Sequence, residues 1–181
     1  MITMRQTDLF AMPATTDTHR LFIGLMAEGS AQAAVDAHRR LWRWPQEASL
    51  PPPERLHLTL HFLGEVEAAV ERALLKALTA VPVPPLNLTL DTVEVWRNGV
   101  AVLQPRENAM LRMLHGRIGE VLGFGPDARW KPHVTLARKA SKALPPESFP
   151  PVEWHVPRFE LVWSRLGQGA HYETLGRYPQ A

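Results

Sequence analysis

Two histidines in matched settings head the residues that could do chemistry. His57-Leu58-Thr59-Leu60 and His133-Val134-Thr135-Leu136 repeat one pattern: a histidine, an aliphatic residue, a threonine and a leucine. Successive side chains of an extended strand alternate between its faces, so each histidine points the same way as the threonine two residues on. If the two strands lie close together, two imidazoles and two hydroxyls converge on one cavity. Such a set suits the in-line opening of a cyclic phosphodiester. One imidazole takes a proton from water while the other, protonated, supplies one to the departing ribose oxygen. Imidazole titrates near neutrality, and threonine hydroxyls can hydrogen-bond the non-bridging phosphoryl oxygens and fix phosphorus between the rings. Nothing in this arrangement requires a metal.

The elements that must position these residues follow from periodicity. The apolar run Arg20 to Met26 predicts a central strand. Ala31, Ala34, Val35, His38, Leu41 and Trp42 recur at helical spacing, with Pro45 marking the end, and Pro51-Pro52-Pro53-Glu54 forms a rigid approach to the next strand. Arg55 to Gly64 alternates, with Leu56, Leu58, Leu60 and Phe62 on one face and His57, Thr59 and His61 on the other. A helix from Glu67 to Ala80 leads to a strand at Leu86 to Trp96, a turn at Arg97-Asn98-Gly99 and a hairpin partner at Val100 to Leu103. A third helix spans Glu107 to Leu122, and a strand follows from His133 to Arg138. After a proline-rich loop, Ser141 to Pro151, the segments His155 to Arg165 and His171 to Tyr178 read as a last antiparallel pair. This order is α+β, and each His-x-Thr strand follows a helix and a proline-bearing loop, which hints at a duplication about a pseudo-two-fold axis.

Composition narrows the function classes. The chain has 181 residues, 45% hydrophobic and 21% charged, enough for a real core. Residues 1–19 read as a flexible N-terminal extension and 20–181 as a single domain. The absence of cysteine excludes disulfides, thiolate metal sites and thiol nucleophiles. No His-Glu-x-x-His helix, carboxylate cluster or Gly-Lys-Ser/Thr loop supports metal or P-loop chemistry. No segment has the length and apolarity of a secretory signal or a bilayer span, so a soluble, cytoplasmic monomer is expected. The formal charge of +2 does not identify a nucleic-acid binder but allows a local basic pocket.

The wider context of the two motifs resembles the 2H phosphoesterases, and within them the bacterial and archaeal RNA 2′,3′-cyclic phosphodiesterases once described as 2′-5′ RNA ligases. The resemblance is carried by Arg20-Leu21-Phe22-Ile23-Gly24-Leu25, by the HLTLHFLG run from His57 to Gly64, and by the KPHVTLAR run from Lys131 to Arg138. It extends to Leu161 to Arg165 and to Tyr172-Glu173-Thr174-Leu175, covering nearly the whole chain after Arg20. It implies a bilobal fold in which two antiparallel sheets line a central groove, helices lie outside, and each lobe contributes one histidine. It also implies hydrolysis of RNA 2′,3′-cyclic phosphate ends to 2′-phosphates without a cofactor, with reversible 2′-5′ ligation as a related activity. By the same resemblance His57 is the general acid toward the 3′-oxygen and His133 the general base for water. Two alternatives stay open: a cyclic phosphodiesterase for small cyclic nucleotides or ADP-ribose cyclic phosphate, and an RNA end-binding module without turnover.

Further residues take supporting roles. Thr59 and Thr135 are expected on the phosphate. The resemblance makes Arg138 the candidate for stabilising the equatorial phosphoryl oxygens, but its parity is opposite to that of His133 and Thr135, so it needs a bulge or a strand end to reach the groove. His61 shares the face of His57 under strict alternation and is expected at the groove rim. Lys131 can add positive field at the groove mouth, and Phe22 and Tyr172 can form a platform for a terminal base. The six tryptophans share no motif that would mark an RNA track.

Overall fold

The segments with a period of two assemble into one antiparallel sheet in the computed structural model, which describes residues 18–165 and 171–179. In chain order the elements are β1 (Thr18–Met26), α1 (Gly29–Arg39), β2 (His57–Glu67), α2 (Ala68–Ala77), β3 (Leu86–Val95), β4 (Ala101–Pro105), α3 (Ala109–Leu122), β5 (Val134–Ala137), β6 (Val152–Val156), β7 (Phe159–Arg165) and β8 (His171–Tyr178). Most of the expected N-terminal extension, residues 1–17, lies outside the described residues, whereas His19 already pairs with Val66 across β1 and β2.

The strand order is β6-β3-β4-β5-β2-β1-β7-β8. Where the resemblance implies two sheets, the fold therefore has two four-stranded halves of a single sheet. They fuse where β2 meets β5, through the pairing of Leu58 with Val134. A strand-helix-strand unit ends on the His-x-Thr strand in each half: β1-α1-β2 in one and β4-α3-β5 in the other. The two halves thus repeat one order of elements around the motif strands.

The segment His155 to Arg165, expected as one strand, is two. Pro157 offers no N–H and has a fixed φ, so the chain leaves the sheet there. β6 pairs with β3 at one edge, whereas β7 pairs with β1 in the other half. The expected closing pair survives as β7 and β8.

The core gathers Leu21, Ile23 and Leu25 of β1, Leu58 and Leu60 of β2, and Val134 and Leu136 of β5 with Val35 of α1 and Leu114 and Ile118 of α3. Leu58 and Val134 have no exposed surface. Burying such side chains stabilises the fold by about 1.5–3 kcal/mol each, so the seam holds one register. A slip by one residue would drive the histidines into the core. Helix α3 is set at its start by Asn108, whose side chain accepts from Leu111 N–H at 3.0 Å, and it ends at Gly123 in the left-handed region.

Candidate active site

Both motif strands carry the same irregularity. Along β1, Gly24 pairs with Thr59 but Ile23 pairs with His61, so Leu60 is an extra residue. Along β4, Val102 pairs with Thr135 but Ala101 pairs with Ala137, so Leu136 is an extra residue. The residue after each threonine is thus a β-bulge, and beyond it the inside-outside parity is reversed.

This reversal settles two residues whose sequence parity misleads. His61, expected on the groove face, is 9% exposed and packs on α3, where its Nε2–H donates to the His115 carbonyl at 2.9 Å and its ring stacks on His115 at 4.2 Å. It does not line the groove that holds His57. Phe62, expected in the core, is 55% exposed and does line that groove, with the Arg20 guanidinium 4.7 Å from its ring centre. In the other half the bulge at Leu136 and the end of β5 turn Arg138 to the groove wall. Its backbone is held there by a two-way bridge to Ser49, both bonds at 2.9 Å.

A groove of about 470 Å³ brings together His57, Thr59, His133, Thr135 and Arg138, with Phe22, Arg55 and Tyr172 at one end. Antiparallel pairing centred on Leu58 and Val134 sets His57 across from Thr135 and Thr59 across from His133. The histidines therefore occupy a diagonal of the ladder, with backbone positions about 7–8 Å apart. A phosphoryl group fits between side chains projecting from such positions.

The two imidazoles are held alike. Nδ1–H of His57 donates to the Arg55 carbonyl at 2.7 Å, and Nδ1–H of His133 donates to the Lys131 carbonyl at 2.8 Å. A carbonyl only accepts, so both neutral rings carry their proton on Nδ1 and keep Nε2 for proton transfer. The ring of His57 is flanked by Phe22 at 4.7 Å and Tyr172 at 5.4 Å, and that of His133 by Trp96 at 4.5 Å. Trp96 stands at the end of the tight turn through Gly99, and its indole N–H donates to Glu94 at 2.9 Å.

Burial pushes the His57 imidazolium down to about 4, against the support of the Arg55 carbonyl, and the positive charges of His133 and Arg138 add to the depression. Burial also lowers His133, again with Arg138 contributing. Phe22 is 4% exposed and packs on His57 more than it offers a face, while the Arg55 guanidinium lies 5.0 Å from the Tyr172 ring centre. Lys131 orients His133 through its carbonyl, but it lines an adjoining cavity and not the groove of His57. Arg55, Phe62 and Trp96 had no sequence signal, because nothing local marks them as neighbours of the motif residues. Among the described residues no three His, Asp or Glu side chains converge as a metal site, and no helix is long and apolar enough to cross a membrane.

Gly24 lets β1 lie close against β2. A Cβ there would lie 2.9 Å from the Leu58 carbonyl oxygen and 3.2 Å from the Phe22 ring. Gly24→Ala is expected to destabilise the protein by about 1–3 kcal/mol. Urea unfolding checks this, and an unchanged midpoint would show that β1 and β2 yield without cost.

The chain matches the model of the 2′-5′ RNA ligase superfamily over residues 28–168. It is 32% identical over 175 residues to the RNA 2′,3′-cyclic phosphodiesterase of Escherichia coli K12, a match covering 90% of this chain and 97% of that protein. A solved phosphoesterase superposes with a TM-score of 0.78 at 29% identity, covering 90% of this chain and 98% of the other. Escherichia coli LigT complexed with phosphate gives 0.75 at 30% identity, with coverages of 90% and 97%. A seam of two His-x-Thr strands, an alignment along almost the full length of a curated relative and a superposition of the whole sheet agree: the chain belongs to the 2′-5′ RNA ligase superfamily, among the LigT-like 2H phosphoesterases.

Proposed function

We propose that this chain hydrolyses 2′,3′-cyclic phosphate ends of RNA to 2′-phosphate ends, with His57 and His133 as its acid-base pair. The observation that carries the proposal is the matched Nδ1–H bond of each histidine to the carbonyl two residues before it, which keeps both Nε2 atoms for the same groove. The substrate class is supported by the similarity to the Escherichia coli enzyme.

In the proposed reaction Nε2 of His133 takes a proton from water as its oxygen attacks phosphorus. The bond from phosphorus to the ribose 3′-oxygen breaks, and Nε2–H of His57 protonates that oxygen. One water is consumed, the 2′-ester bond stays intact, and a proton returns from His133 to His57 through solvent. Thr59 and Thr135 donate to non-bridging oxygens, and Arg138 offsets the charge that builds on them. In the free protein burial lowers both imidazoles, that of His57 to about 4. A bound phosphate anion favours the imidazolium form, which gives kcat and kcat/KM different pH dependence.

Imidazoles and a guanidinium supply every proton and charge in this scheme. Activity on an oligonucleotide with a cyclic phosphate end is expected to survive exhaustive EDTA treatment within about two-fold. Loss on chelation with recovery on adding Mg²⁺ or Mn²⁺ would overturn the two-histidine account, and binding without turnover would identify an end-binding module instead.

A further inference from the structure

A second cavity, of about 620 Å³, opens from the reaction groove at the end occupied by Thr59 and His133. It shares Thr59, Phe62 and His133 with that groove and is otherwise separate from it. Its walls include Trp96, Phe124 and Trp130, its cations are Arg129 and Lys131, and it holds one carboxylate, Asp127. Asp127 is partly engaged, because its carboxylate accepts from the Arg129 backbone N–H at 2.9 Å. Neither Arg129 nor Lys131 has a carboxylate within ion-pairing distance among the described residues, and both are exposed.

The aromatic wall is built flat and fixed. Trp130 stacks on His115 at 3.9 Å and 13°, and His115 stacks on His61 at 4.2 Å and 12°. The Trp130 indole N–H donates to the Thr59 carbonyl at 3.3 Å, which ties the wall to the motif strand itself. Burial lowers the His61 imidazolium and, together with the charge of His61, pushes that of His115 down to about 4, which favours the uncharged rings that stack. Phe124, at the open side, is 49% exposed. A water molecule, the co-substrate of hydrolysis, needs none of this. Flat aromatic walls with cations beside them are the general means of holding a single-stranded nucleotide, through stacking and phosphate contact.

The two cavities meet at Thr59, Phe62 and His133. A chain whose terminal cyclic phosphate sits between His57 and His133 in the reaction groove can therefore place its adjoining nucleotide in the second cavity.

We propose that this cavity is the subsite for the penultimate nucleotide of an RNA end, with its base against Phe124 and the Trp130 wall and the connecting phosphate between Arg129 and Lys131. The proposal rests on the phosphodiesterase reading for its substrate and adds that the protein distinguishes an RNA end from a free cyclic nucleotide. Base stacking of this kind gives about 5- to 100-fold in affinity.

The test compares a dinucleotide ending in a 2′,3′-cyclic phosphate with the corresponding 2′,3′-cyclic mononucleotide. Wild-type kcat/KM is expected to favour the dinucleotide at least about ten-fold. Phe124→Ala and Arg129→Ala, both exposed and away from His57, are expected to bring that ratio toward one while mononucleotide turnover stays within about two-fold. The Kd values of the 2′-phosphorylated dinucleotide and mononucleotide should show the same difference without any turnover. A wild-type ratio near one in both kinetics and binding, or variants that lower both substrates equally, would overturn the subsite. A binding advantage in a protein that hydrolyses neither substrate would retain the subsite and sink the phosphodiesterase reading instead.

Discussion

His57→Ala and His133→Ala are each expected to lose about 10²- to 10⁴-fold in kcat/KM on a cyclic-phosphate oligonucleotide, since each removes one proton transfer. A substrate with sulfur in place of the 3′-oxygen separates their roles. A thiolate departs without the proton that an alkoxide needs, so His57→Ala should recover most of its lost rate on the sulfur substrate. His133→Ala should stay slow, because water still needs a base. Rescue of His133→Ala alone would reverse the assignment. The bonds to the Arg55 and Lys131 carbonyls hold each ring by the backbone two residues before it, so neither substitution removes a contact that the other histidine depends on.

Replacing Arg138 should change both rate and pH dependence. Its charge lowers both imidazoles, and it lines the groove they share. Turnover requires one proton on the pair. Below about pH 4 both rings are charged and the base is lost, and above the second apparent constant the acid is lost. Because both groups sit below the usual histidine value, the kcat/KM profile should peak on the acid side of pH 6.5. The kcat profile should lie at higher pH, since a bound phosphate anion favours imidazolium. Arg138→Gln removes a positive charge, so both limbs of kcat/KM should move to higher pH while kcat falls about 10²-fold. Arg138→Lys keeps the charge and loses the fork, so it should retain the wild-type limbs and part of the rate. A rate loss with unmoved limbs in Arg138→Gln would mean that the guanidinium does not face the imidazoles in solution.

The motif residues were legible in the sequence because a strand's period of two is local. His57 with Thr59, and His133 with Thr135, needed only alternation to be paired, and the helix and hairpin patterns between them were equally local. The bulges were not legible. Leu60 and Leu136 look like ordinary inward leucines, and only their partners on β1 and β4 reveal the extra residue that buries His61, exposes Phe62 and turns Arg138 to the groove. For Arg138 the sequence did state the condition, a bulge or a strand end, and the fold supplies both. The fusion of the two halves into one sheet rests on the pairing of Leu58 with Val134, distant in sequence and without any local sign. The division of β6 from β7 was different in kind, since Pro157 stood in the sequence and its missing donor argued for the break.

The central claim is that water opens the cyclic phosphate at its 3′-oxygen within the His57 and His133 groove. The most direct measurement is ³¹P NMR of an RNA oligonucleotide with a 2′,3′-cyclic phosphate end after incubation with the protein in ¹⁸O-labelled water. A single 2′-phosphate end carrying one labelled oxygen, formed by the wild-type protein and not by the His57→Ala, His133→Ala double variant, is the expected result. A 3′-phosphate end, an unlabelled product or equal conversion by the double variant would contradict the account.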